Sequence, residues 1–268
     1  MVAQHALPSD MASSAALPAM SSDALVLEAL TCTFGALRAV DQVSLTVAVA
    51  ERRAILGANG AGKTSLFNLI SGDVAPSSGR ILFFGEDITA LPTHQRIRKG
   101  LRRTYQSSLL LRDLSVRDNL FMAVRGVMPG RMQVWQPAWR HTSHQATEAL
   151  LVRGRLQALA DERVANLAHG QQRQLEIAMA LAGAPRLILL DEPAAGLSPV
   201  ERQELVALLR GLPAHMGFVL IEHDLEIALR VVDRVTVMHN GRVLTTGTPA
   251  QIEQDPRVQA MYMGGTHA

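Results

Sequence analysis

Gly57-Ala58-Asn59-Gly60-Ala61-Gly62-Lys63-Thr64 has the spacing G-x-x-x-x-G-K-[ST], and an apolar run ending in Asp191-Glu192 follows more than a hundred residues later. The first segment can cradle phosphate: its glycines let the backbone curl so that successive N–H groups, with the N-terminus of the helix they open, face an anion. Lys63 then brings a point charge to the β- and γ-phosphates, and Thr64 offers a hydroxyl to Mg²⁺. In the second segment, Asp191 at a strand end can hold the metal through water, and Glu192 can polarise an attacking water as general base. Together these residues imply binding and hydrolysis of a nucleoside triphosphate. Lys63 and Lys99 are the only lysines in a chain otherwise basic through arginine. A flexible ammonium suits position 63, where a planar guanidinium fork would fit poorly.

Such a loop works only between a strand and a helix. Glu51 to Leu56 can form the short buried strand, and the helix opened at Gly62-Lys63 runs to about Ile70 and stops at Gly72. Ahead of it, strand-like runs at Leu25 to Leu30 and Val43 to Val49 predict a small antiparallel layer. Pro76 to Gly79 reads as a turn and Ile81 to Phe84 as another strand. Ser115-Val116-Arg117-Asp118 fits a capping box for a helix through Leu120 and Val124. Gly126 to His144, with Trp135, Trp139 and Pro137, reads as an irregular excursion. Helical patterns resume over Ala146 to Leu159 and Gln171 to Leu181. The continuous apolar runs Leu187 to Leu190 and Phe218 to Ile221 predict parallel strands buried on both faces. Asn240-Gly241 predicts a hairpin, and Thr248-Pro249-Ala250-Gln251 the capped start of a last helix.

Composition bounds the remaining possibilities. The 268 residues suffice for one large α/β domain with a helical insertion, and no apolar stretch approaches the ~18 residues needed to span a bilayer. A net charge of +2 is too mild to argue for nucleic acid. Arg96, Arg98, Lys99, Arg102 and Arg103 form a local basic cluster, read either as a solvated helix face or as a contact for anionic lipid or an acidic partner. Cys32 is the single cysteine, which permits a reducing compartment. Residues 1–23, rich in Ala, Ser, Met and Pro and devoid of Lys and Arg, read as a disordered leader, with Met11 or Met20 as alternative starts.

Leu167-Ala168-His169-Gly170-Gln171-Gln172, opening a helix before the Asp191-Glu192 strand, resembles the signature motif of ATP-binding cassette (ABC) ATPases. The other landmarks follow in that family's order. Phe34 resembles the aromatic that stacks on adenine, Gln106 the glutamine that reaches metal and water, Gly196-Leu197-Ser198 the D-loop, and His223 the switch histidine that contacts the γ-phosphate. The resemblance implies the P-loop NTPase form of an α/β fold over residues 24–264, with a small antiparallel β layer and a helical signature subdomain at about 109–181. It implies ATP and Mg²⁺ as ligands. Nucleotide would touch Phe34, Val40, the loop from Gly57 through Thr64, Ser65, and the signature residues Leu167, Ala168, His169, Gly170 and Gln171. Thr64, Gln106 and Asp191 would serve the metal; Glu192, His223 and Gln106 would serve hydrolysis.

Two departures from the family pattern stand out. Ala168 replaces the usual signature serine, so it can neither donate a hydroxyl to a facing γ-phosphate nor cap its helix, a loss of about 0.5–2 kcal/mol. The N–H groups of Gly170 and Gln171 would still point at the phosphate along the helix dipole. Ser198 stands where many cassettes carry Asp; within Ser198-Pro199-Val200-Glu201 it forms a capping box for the next helix.

Within the family, Phe34 to Val40, Arg103-Thr104-Tyr105-Gln106, Gln172 to Ala178 and Asp191 to Pro199 resemble the ATPases of branched-chain amino-acid uptake systems. That resemblance implies membrane permeases, a second cassette (a copy or a paralogue), an indirect solute-binding protein, no nucleic acid, and a peripheral place on the cytoplasmic face of the inner membrane. Urea or amide import, lipid export and a nucleotide-binding regulatory role with little hydrolysis stay open; a DNA-repair or translation ATPase would call for coiled-coil insertions or tandem cassettes, which the chain lacks.

Overall fold

A computed structural model of the protein describes residues 22–105, 110–127 and 137–263. β1 (Asp23–Phe34) and β2 (Leu37–Ala48) form an antiparallel hairpin closed at Gly35-Ala36, with Phe34 paired to Leu37. Both strands are longer than their apolar runs suggest. Of the expected leader only Ser22 and Asp23 are described, and Asp23 already belongs to β1. β3 (Arg52–Leu56) feeds the phosphate loop and α1 (Lys63–Ser71), which stops at Gly72 with φ +83°. β4 (Ser78–Phe83) pairs with β1, and β5 (Glu86–Asp87) completes a four-stranded antiparallel sheet ordered β2-β1-β4-β5.

α2 (Thr93–Arg98) and β6 (Leu101–Arg103) precede three helices, α3 (Val116–Val127), α4 (Pro137–Gly154) and α5 (His169–Ala180), which pack on one another. Then follow β7 (Leu187–Asp191), α6 (Pro199–Arg210), β8 (Gly217–Ile221), α7 (Leu225–Val231), β9 (Arg234–His239), β10 (Arg242–Gly247), α8 (Pro249–Gln254) and α9 (Pro256–Met263). The larger sheet has the order β10-β9-β3-β8-β7-β6; all of its neighbours run parallel except the β9–β10 hairpin, which turns at Asn240-Gly241.

This sheet separates two apolar cores, and the period of 2 along each strand decides which residue joins which. Ile188, Leu190, Phe218 and Leu220 face the core shared with α3, α4 and α5. Leu187, Leu189, Val219 and Ile221 face the core shared with α1 and the antiparallel sheet. Because β3, β7 and β8 are parallel, their C-terminal ends emerge at one edge, where α/β sheets place ligands.

Three expectations need correction. Helix α4 begins at Pro137 and ends at Gly154, so the second half of the supposed excursion is helical; Pro137 tolerates the first helical turn, where its missing N–H leaves nothing unpaired. Trp139 therefore lies in α4, while Trp135 lies outside the described residues. The basic cluster is a solvated helix face only in part, at the exposed Arg98 and at Lys99, which pairs with Glu86. Arg96 is 2% exposed and donates to the carbonyls of Leu69, Ile70, Leu91 and Thr89, thereby closing the C-terminal end of α1. The Arg103 side chain is largely shielded as well, bridging Asp73 and Asp191. Finally, two short helices, α8 and α9, stand where one was expected.

Candidate functional site

The phosphate loop is shaped by close backbone approaches that only glycine permits. At Gly57 (φ +150°) a Cβ would fall 2.3 Å from the Met238 carbonyl oxygen, and at Gly62 (φ +96°) 2.3 Å from that of Ala39. The loop is thus wedged between β2 and the β9–β10 hairpin, and Gly241 N–H donates to the Ala61 carbonyl at 3.1 Å. Lys63 is buried and donates through Nζ to the carbonyls of Gly57 (2.7 Å) and Ala58 (3.0 Å). Burial pulls its pKa below the usual 10.5, opposed by the negative charges of Glu192 and Asp191.

A cavity of about 520 Å³ opens on the loop. Its walls are residues 59–65, Glu192, His223, Leu37, Arg38, Ala39 and the hairpin turn Asn240-Gly241. Glu192 and His223 arrive from different strand ends: Glu192 follows β7, and His223 lies just past β8. Glu192 takes φ +47°, uncommon for a residue with a Cβ, while its N–H donates to the Ile221 carbonyl at 3.0 Å. Its Oε1 lies 2.6 Å from His223 Nε2. Beneath them, the buried Glu222 accepts from the N–H groups of Ala194 (2.8 Å) and His223 (3.2 Å), and its burial pushes its pKa upward.

Asp191 ends β7 and is 1% exposed. Its Oδ2 accepts from Arg103 Nη2 at 2.7 Å, and its N–H donates to Thr104 Oγ1 at 3.2 Å. It lies behind the cavity wall, close enough to act on Lys63. The donors suited to a cation here are oxygens, the Thr64 hydroxyl and the Asp191 carboxylate. Among the described residues no group of three or more His, Cys, Asp or Glu gathers to hold an ion. Such a set fits Mg²⁺, which keeps several waters and takes its other ligands from bound phosphates.

The remaining expected residues divide. Ser65 and Thr64 line the cavity with Asn59, Gly60, Ala61, Gly62 and Lys63, and Ala58 holds Lys63 from behind. Phe34 is 51% exposed at the end of β1, so it is not a core aromatic. Val40 is 0% exposed, inside the core of the antiparallel sheet, and does not line the cavity. Gln106 lies outside the described residues.

None of Leu167, Ala168, His169, Gly170 or Gln171 lines this cavity. Leu167 is core, and His169 Nε2 sits 3.2 Å from the Ala195 carbonyl. Ala168 has N-cap geometry without a side-chain acceptor, so only the reciprocal half of the cap is made, by Gln171 Oε1 on Ala168 N–H at 2.9 Å. The Gly170 N–H, expected to await a phosphate, instead donates to Glu201 Oε1 at 2.9 Å. Glu201 also holds the Ser198 N–H and hydroxyl, and the Ser198 hydrogen bonds lead in lowering its pKa.

Sequence reading missed four contributors. Arg38 was legible only within the segment Phe34 to Val40 that carries the family resemblance, the Asn240-Gly241 turn only as a hairpin, Glu222 only as a neighbour of His223, and Glu201 only as a cap. Their roles arise from long-range packing.

The model of the family described as ABC transporter matches residues 40–195. The high-affinity branched-chain amino acid transport ATP-binding protein BraF of Pseudomonas aeruginosa is 37% identical over 255 residues, covering 91% of this chain and 99% of BraF. The lipopolysaccharide export system ATP-binding protein LptB of Acidithiobacillus ferridurans is 40% identical over 226 residues, covering 84% and 90%. A nucleotide-free crystal structure of an ATP-binding cassette from an ABC transporter superposes with a TM-score of 0.79 at 30% identity, covering 90% of this chain and 98% of that one. The chain belongs to the ABC transporter family, as one of its ATP-binding cassettes.

Proposed function

We propose that the protein is the ATP-hydrolysing subunit of an importer for branched-chain amino acids or related small solutes. The observation that carries hydrolysis is the meeting of Glu192 and His223 over the phosphate loop in one cavity. In this reading Lys63 and the loop N–H groups bind the β- and γ-phosphates, and Phe34 stacks on adenine. Thr64 and Asp191, with Gln106, serve Mg²⁺, which supplies charge neutralisation on the phosphates. Glu192 takes the proton of the attacking water, and His223 orients Glu192 and reaches the γ-phosphate.

The signature stands away from this cavity, which supports a site completed by the signature of a second cassette, a copy or a paralogue. A largely apolar groove of about 210 Å³ between β6 and the helical cluster, lined by Ile97, Tyr105, Leu110, Ala123, Val127 and Met179, suits a permease helix. Among the described residues no helix is long and apolar enough to cross a membrane, in keeping with a peripheral subunit that borrows its membrane path from such permeases. Import is favoured because the resemblance to BraF runs over nearly its whole length.

Lipopolysaccharide export is the second reading, supported by the 40% identity to LptB over a shorter span. The test is co-expression with candidate permease subunits and reconstitution in vesicles. ATP-dependent accumulation of labelled leucine or valine in the presence of a binding protein supports import. ATPase activity stimulated by lipopolysaccharide and indifferent to amino acids overturns it.

A further inference from the structure

Arg103 is the side chain that joins the phosphate-loop helix to the strand end carrying Asp191. It leaves β6 beside β7, and its guanidinium reaches in two directions. Nη2 donates to Asp191 Oδ2 at 2.7 Å. Nη1 donates to Asn68 Oδ1 at 2.7 Å, Ser71 Oγ at 3.0 Å and Asp73 Oδ2 at 3.0 Å, all at or just beyond the C-terminal end of α1. The rings of Tyr105 and Phe67 lie 5.0 and 5.7 Å from its central carbon, so the group is clamped as well as bonded. Its neighbour Thr104 grips the same strand end, with N–H on the Leu189 carbonyl at 2.9 Å and hydroxyl on the Asp191 N–H.

A carboxylate as buried as that of Asp191 needs a counter-charge, and a free one could turn either oxygen toward a ligand. A planar fork fixes both the charge and the rotation; a lysine could supply only the first. We propose that Arg103 is the positioning residue of the metal site: it fixes the rotation of the Asp191 carboxylate through one oxygen, Oδ2, and leaves the other, Oδ1, for the hydrated Mg²⁺ that would arrive with the nucleotide. The inference rests on the reading of Asp191 as the metal carboxylate. It differs from a merely structural role for Arg103, which would affect nucleotide binding with and without metal alike.

The experiment is equilibrium binding of a fluorescent ATP analogue to the full chain, in EDTA and across a Mg²⁺ titration, for the wild type, Arg103→Gln, Arg103→Lys and Asp191→Asn. Arg103→Gln is expected to leave metal-free affinity within about twofold of wild type and to raise the Mg²⁺ midpoint about tenfold, the scale on which partners of metal ligands act. Arg103→Lys should fall between the two. A Mg²⁺ midpoint unmoved in Arg103→Gln while Asp191→Asn shifts it overturns the proposal, as does an equal loss of affinity with and without metal. If neither Arg103→Gln nor Asp191→Asn moves the midpoint, the metal reading of Asp191 fails and takes the proposal with it. Should Arg103→Gln melt before assay, Arg103→Lys is judged alone, and an unmoved midpoint there is equally fatal.

Discussion

His223 Nε2 lies 2.6 Å from Glu192 Oε1, although the two residues are separated by α6 and β8 in the chain. The parallel β7–β8 pairing, which places Asp191 opposite Ile221, delivers both side chains to one edge. Glu192 is mostly shielded and His223 more open, so the pair presents the carboxylate from within and the imidazole from the cavity side.

Glu192→Gln should abolish steady-state ATP hydrolysis while ATP binding persists, since the phosphate loop is untouched. Phosphate release from the assembled complex measures the first, and gel filtration with ATP should show a trapped cassette dimer. Turnover near that of wild type would remove Glu192 from the role of base.

Lys63→Ala acts on binding itself. The substitution removes the ammonium, and with it the bonds to Gly57 and Ala58 that close the loop. A direct ATP titration should show affinity lowered by at least about tenfold, the scale of a lost charge-assisted hydrogen bond.

Arg96→Met should destabilise the fold without touching the nucleotide cavity. It leaves the carbonyls of Leu69, Ile70, Leu91 and Thr89 without their buried donor, at a cost of about 3 kcal/mol. Burial already pulls the Arg96 pKa down to about 10, yet the group stays charged at neutral pH. Denaturant midpoints would show the loss, and a midpoint equal to wild type would refute it.

Glu222 gives stability a pH dependence whose sign can be worked out. Burial raises its folded pKa above the ordinary 4.5, so in the window between 4.5 and the raised value the folded state holds the proton more tightly than the unfolded chain. Stability contributed by neutral Glu222 is complete below that window and falls as pH rises through it. Comparing wild type with Glu222→Gln from roughly pH 4 to pH 8 should show a shallower decline in the variant.

Ala168→Ser tests whether the signature is impaired. In the isolated chain the hydroxyl should cap α5 and add about 1 kcal/mol of stability, with no change in ATP affinity. In the assembled complex, a new donor to the facing γ-phosphate should raise ATP affinity about tenfold at that site. Equal kinetics for variant and wild type in the complex would show that backbone N–H groups suffice. Adding Glu201→Gln should strengthen the effect, because it removes the negative charge now bonded to Gly170 N–H.

The elements that position the site were largely legible. Leu187 to Leu190 and Phe218 to Ile221 are continuous apolar runs because both faces of the central sheet are covered, and the caps at Ser198 and Thr248 are local hydrogen bonds that local sequence encodes. Pro137 misled because a proline that starts a helix and one that breaks it look alike in a chain without surrounding contacts. Arg96 and Arg103 misled for a different reason. Charge patterning assigns arginines to solvent, and only the tertiary fold brings the carbonyls and carboxylates that bury them. Val40 followed its family position, but its place in the alternation of β2 turns it inward.

The Lys63 ammonium has a further consequence. It donates two of its protons to the carbonyls of Gly57 and Ala58 in its own loop, which fixes the loop in register. On the proposed reading of this loop, an arriving triphosphate would meet a mould that is already cast, and little chain entropy would be lost on capture. What it must do is outcompete two neutral oxygens for one cation. On the proposed reading, a nucleotide lacking the terminal phosphate would compete for the same ammonium with less negative charge.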